Sequence, residues 1–146
     1  MECLEVIKLA CCRQTKIAGR LGFALSIAFA VRPAGAIQSC QSLIDALRAD
    51  TETVVLTGRQ AEKNRASLLG KLDNATRDLS RGKLCGAIQK LTDFRDKVNQ
   101  LIASGSINND PAVGVTGQDL VNGANEAIAC IQAQVSQSGT TCPVIE

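Results

Sequence analysis

The chain has no histidine, no tryptophan and no tyrosine, and its only aromatic residues are three phenylalanines. Each absence removes a class of function. Without imidazole no Ser-His-Asp or Cys-His nucleophile pair can be assembled, and zinc loses one of its common ligands. Without Trp or Tyr there is no platform of exposed rings on which sugars stack. Long apolar runs are missing too: the longest, LGFALSIAFAV over residues 21–31, is about half of the roughly 20 residues a helix needs to cross a bilayer. The strict alternation of a half-buried strand is also absent, which leaves an all-helical fold as the expectation.

The most specific pattern that is present lies at the front. A basic stretch ends at Arg20, the apolar run follows, Arg32 and Pro33 close it, and the small triplet Ala34-Gly35-Ala36 comes next. This order of parts reads as a secretory signal cleaved after Ala36. A lipoprotein signal ending at Cys40 fits less well, because Ile37-Gln38-Ser39 lacks the usual small residue two positions before the cysteine. The expected organisation is a signal over residues 1–36, a short helix and connector over 37–57, a helical bundle over 58–135 and an irregular tail over 136–146. The product is expected to be exported, periplasmic or extracellular, with no stable membrane anchor after cleavage.

Charge divides along the same boundary. The leader carries Lys8, Arg13, Lys16, Arg20 and Arg32 against Glu2 and Glu5, whereas the remaining chain has 11 Lys and Arg against 12 Asp and Glu. The overall charge of +2 is therefore a property of the leader, and no nucleic-acid partner is expected for the mature domain. The expected partner is a protein or an envelope component of unassigned identity.

Of the seven cysteines, Cys3, Cys11 and Cys12 belong to the leader, leaving Cys40, Cys85, Cys130 and Cys142. An even number in a small exported domain points to two disulfides. With no histidine and no C-x-x-C spacing in the mature part, no metal site and no cofactor are expected. Four cysteines permit three pairings, and the residues alone do not choose among them.

Apolar periodicity marks four helical segments. Leu43, Ile44 and Leu47 give a short stripe over residues 39–49, followed by a polar, β-branched stretch over 50–57 whose Val54, Val55 and Leu56 are expected to plug the base of a bundle. A second helix is expected over residues 58–81 on Leu68, Leu72, Ala75 and Leu79, ended by Gly82. The third carries Leu84, Ile88, Leu91, Phe94, Val98, Leu101 and Ile102 and stops at Gly105. So short a turn between helices makes them an antiparallel αα-hairpin. Residues 106–117 are rich in turn formers and read as a mobile loop. The last helix opens at Thr116 or Gly117, with Thr116 and Asp119 spaced as a capping box. It continues through Leu120, Ala124, Ala127, Ile128, Ile131 and Val135. Gly123 inside it points to close approach of a neighbouring backbone. The fold class expected is a small up-and-down bundle of three main helices plus a short N-terminal helix.

The stretch SLLGKLDNATRDLSRGKLCGAIQKLTDFRDKVNQLIASG, followed by LVNGANEAI, resembles the FIMAH domain, a small helical module of exported bacterial proteins. The resemblance rests on Leu68-Leu69-x-Lys71-Leu72, Ala75, Leu79, the Gly82 turn, Cys85 with Leu91, Phe94 with Val98, and Leu120 with Ala124-Asn125. It covers about residues 66–130 and implies a non-catalytic appendage-type module. The resemblance also implies pairing of Cys85 with Cys130, and hence of Cys40 with Cys142, with Cys85 to Cys142 as the alternative.

Few groups offer chemistry. Asp93 and Asp96 stand three apart on one helical face, a spacing a carboxylate-dependent hydrolase uses only within a cleft; interleaved Arg95 and Lys97 mark a solvated charged face instead. Asn108, Asn109 and Asp110 carry oxygens in the loop, but they lack the spacing and distal Glu of a calcium loop. An Asx-type turn before Pro111 accounts for them, and the loop is the candidate interaction surface. Asn74-Ala75-Thr76 matches a glycosylation tripeptide by chance, mid-helix. The function expected is a non-catalytic interaction or structural module, not an enzyme. A secreted inhibitor of an extracellular enzyme is the alternative, and a small hydrolase working through Asp93 and Asp96 comes third.

Overall fold

The computed structural model describes the backbone of residues 34–142 and the side chains from residue 39 onward. Most of the expected signal, residues 1–33, lies outside the described residues, as do the last four of the tail. Within them the chain forms α1 (Ala34–Thr53), α2 (Ala61–Ser80), α3 (Leu84–Ala103), a short 3-10 turn at Pro111–Val113, and α4 (Gly117–Gln137). Each helix packs on two neighbours, α1 on α2 and α4, and α3 on α2 and α4. The order of contacts is reversed along α1 and α2, where Gln41 reaches Thr76 while Arg65 reaches Thr51, and along α3 and α4, where Ile102 stands by Gly117 while Arg95 reaches Asn125. The bundle is therefore four-membered, antiparallel and up-and-down, the all-α class that the periodicity predicts.

The core is aliphatic and follows the predicted stripes. Leu68, Leu72, Ala75 and Leu79 are the buried face of α2. On α3 the stripe narrows to Ala87, Leu91, Phe94, Val98 and Leu101, with Leu84, Ile88 and Ile102 only half-buried at its edges. Phe94 is the largest fully buried side chain, so the one aromatic of the expected mature chain is spent on packing. Ile44, Leu47 and Val54 complete the core from α1 and its end.

α1 runs four residues past its predicted end at Ala49. Thr51 and Thr53, poor helix formers, are accommodated because each hydroxyl donates back into the helix, Thr51 to Leu47 O at 2.7 Å and Thr53 to Asp50 O at 3.1 Å. The terminal carbonyls, which every helix leaves unsatisfied, are gathered by one guanidinium from α2. Arg65 donates to Thr51 O, Glu52 O and Val54 O at 2.8, 2.7 and 3.0 Å. That cap is a tertiary contact, invisible to a local reading of residues 50–57. α2 in turn starts later than predicted, at Ala61, since Gly58 has a positive φ of 87° and residues 58–60 form a bend and turn.

Gly123 does mark a close approach, but of a side chain rather than a backbone. A Cβ at that position would stand 3.1 Å from Leu47 Cδ1, so the glycine lets α1 and α4 come together.

Candidate interaction surface

The bundle has two unlike ends. At one, the N-terminus of α1, the α2–α3 turn and the C-terminus of α4 meet; at the other, the α1–α2 connector faces the long α3–α4 loop.

The first end holds both disulfides. Cys40 pairs with Cys130 and Cys85 with Cys142, at Cα separations of 5.7 and 5.4 Å. The pairing implied by the FIMAH resemblance, Cys85 with Cys130 and Cys40 with Cys142, is thus replaced by the alternative for Cys85. The cause is helix phase. Cys130 sits two turns beyond Gly123, on the same side of α4 that meets Leu47 of α1. It lies about 140° round the helix from Asn125, which receives a hydrogen bond from Arg95 of α3 at 3.3 Å. Cys130 therefore faces α1, and Cys85 in the first turn of α3 is left to the tail. Gln134, one turn after Cys130, is buried and donates from Nε2 to Cys40 Sγ at 2.9 Å.

The second end contains the predicted interaction loop, and it is knitted rather than mobile. Leu56 and Ile107 form an isolated antiparallel bridge, flanked by Thr57 N donating to Ser106 O at 3.0 Å and Asn108 N to Val55 O at 2.8 Å. Val54 plugs the base as expected and is fully buried, Leu56 is half-buried, and Val55 points outward. The partner for this extended stretch is a loop residue, so no strand pattern announces it. Asn108 accepts from Asp110 N at 3.1 Å and Asp110 accepts from Ala112 N at 2.9 Å, two successive Asx turns of the predicted kind. Asn109 Oδ1 accepts from Gln118 N at 3.2 Å, adding to the cap of α4. One side-chain oxygen of each of Asn108, Asn109 and Asp110 thus accepts a hydrogen bond from the backbone.

α4 opens with the predicted capping box. Asp119 N donates to Thr116 Oγ1 at 3.1 Å, while Thr116 N and Thr116 Oγ1 donate to Asp119 Oδ2 at 2.9 and 2.7 Å. The hydroxyl bond first, and the backbone bond second, hold the Asp119 carboxyl below its ordinary value of 3.8, with slight desolvation acting the other way. Between these braces Pro111, Ala112 and Val113 are displayed. Val113 and Val55 are the large apolar side chains left exposed among the described residues, at 58% and 45%, and both belong to this end.

No family model matches the chain, and neither curated proteins nor solved structures give a match. Asp93 and Asp96 lie on the outer side of α3, each beside a cation: Asp93 is 3.9 Å from Lys90 and Asp96 is 3.4 Å from Arg95, with the carboxylate side chains 43% and 56% exposed. Two carboxylates in that setting are hydrated and separately paired, not aimed across a cleft at one bond. Asn74 is exposed on α2, and Thr76 accepts a hydrogen bond from Gln41. Among the described residues no group of three His, Cys, Asp or Glu comes together to hold a metal ion. No helix among them is long and apolar enough to cross a membrane.

Proposed function

We propose that residues 1–36 direct export and are removed after Ala36, and that the helical domain acts at the bacterial envelope or outside the cell as a non-catalytic interaction or structural module. The observation that carries this reading is the pair of disulfides closing one end of the bundle, since such bonds persist in oxidising compartments and are rare in the cytosol. Cleavage after Ala36 removes only the first turn of α1 and keeps all four bonded cysteines. The FIMAH kinship belongs to the same proposal. It rests on the sequence resemblance alone.

The binding surface in this reading is the loop end, where Val113 and Pro111 ride on a segment braced by Asn108, Asn109 and Asp110. A loop already ordered before binding loses little conformational entropy on association. That same rigidity favours the second reading, in which the tip enters the cleft of an extracellular enzyme as an inhibitor.

Protein recovered from its native host and weighed intact without reductant should begin at Ile37 and take up alkylating agent at its cysteines only after reduction. A full-length product that alkylates without reduction contradicts the proposal. Capture of a secreted enzyme by the domain, with loss of its activity on mixing, supports inhibition; capture with activity retained supports the passive module.

A further inference from the structure

The two disulfides differ in what surrounds them and in what they hold. Cys40 is fully buried between α1 and α4, and its sulfur receives the Gln134 amide hydrogen bond. Cys130 is half-buried, with the Ser39 hydroxyl 3.9 Å from its sulfur. A thiolate attacking this bond must reach it between two packed helices. Cys85 and Cys142 are both half-buried, and Cys142 is reached through Ser138, Gly139, Thr140 and Thr141, all exposed. Among the described residues 136–142 none belongs to the buried hydrophobic set. Residues 136–142 therefore leave α3 without uncovering a core side chain of their own, whereas Cys40 and Cys130 join α1 and α4 where Ile44, Leu47, Ala127 and Ile131 are buried. Segments with few buried contacts open at low free-energy cost, and accessibility governs thiol exchange.

We propose that the Cys85–Cys142 bond is an exchangeable latch, opened by an external dithiol to free the C-terminal tail while the Cys40–Cys130 bond and the four helices persist. The electrons balance with the dithiol alone. Its thiolate attacks one sulfur of the bond, forming a mixed disulfide and expelling the other cysteine as a thiolate, which takes a proton. The second thiol of the reductant then attacks the mixed disulfide, releasing the remaining cysteine and leaving the reductant oxidised.

The test is graded reduction of the folded, oxidised protein with dithiothreitol, after blocking any free thiol with N-ethylmaleimide, followed by iodoacetamide trapping and peptide mapping. Cys85 and Cys142 should be labelled about tenfold faster than Cys40 and Cys130, or more, with the helical circular dichroism intact when the first pair is open. A Cys85→Ser/Cys142→Ser variant should keep its helices and show only the slow pair. Prior labelling of Cys40, Cys85, Cys130 and Cys142 by N-ethylmaleimide overturns the disulfide-bonded fold and the export reading with it. Simultaneous opening of both bonds, earlier opening of Cys40–Cys130, or loss of helix with the first pair overturns the latch alone.

Discussion

At one end of the bundle covalent bonds tie α1 to α4 and the tail to α3, whereas at the other the chain closes itself with a guanidinium, a two-residue backbone bridge, two Asx turns and a capping box. The covalent end joins segments that are far apart in sequence, 90 and 57 residues, and its strength depends on the redox state of the surroundings. The loop end depends on donors meeting acceptors, so it is indifferent to reductant and sensitive to acid. A modest aliphatic core gains from the first arrangement, and an exposed loop gains from the second.

The largest effect expected is at the covalent end. Replacing Cys40 and Cys130 together by alanine should lower unfolding free energy in urea by about 4 to 5 kcal/mol on loop-closure grounds. The matching Cys85→Ala/Cys142→Ala protein should lose less, about 2 to 4 kcal/mol, because none of residues 136–142 is a buried hydrophobic. Equal losses, or a reversed order, would erase the distinction drawn between the two bonds.

At the loop end Arg65→Ala comes next, at about 2 to 3 kcal/mol for three carbonyls left without their charged donor. Arg65→Lys should recover less than half, since an ammonium lacks the planar fork. The Arg65 loss should be similar in the Cys85→Ala/Cys142→Ala background, as distant sites with no shared partners add; strong coupling would mean the ends are not separate. Gly117→Ala follows, at about 1 to 3 kcal/mol, because its new Cβ would stand 2.7 Å from Ile102 Cγ1.

These contrasts also show what the residues reveal unaided. The stripes of α2, α3 and α4 were legible because Leu68, Leu91 or Ile131 recur at helical spacing, and the Thr116–Asp119 box because its two members are neighbours in sequence. What escaped was whatever depends on distant partners. The last turn of α1 needs Arg65, the Leu56 bridge needs Ile107, and the disulfide pairing needs the phase of Cys130 on α4. Ala87 and Val121 joined the core unannounced, one too small and the other too far off the main stripe to stand out. The loop looked mobile because its Asn and Asp residues favour turns, and it proved ordered because those same side chains bond to its backbone.

A smaller effect concerns acid. The folded Asp119 carboxyl titrates below its unfolded value, so its contribution is fully present above about pH 4 and is lost as pH falls through the folded value. Asp119→Asn should remove that part of the acid dependence, seen as a flatter stability profile between neutral and acid pH, while Thr116→Ala costs about 0.5 to 2 kcal/mol at neutral pH. The smallest effect is Val113→Ser, under about 0.5 kcal/mol in stability, with its consequence confined to partner capture.

One end of this bundle is fastened by two particular disulfides. Peptide mapping of the native protein without reduction reads it directly: Cys40 should be found linked to Cys130 and Cys85 to Cys142. Cross-linked peptides joining Cys85 to Cys130, or all four cysteines as free thiols, would contradict it.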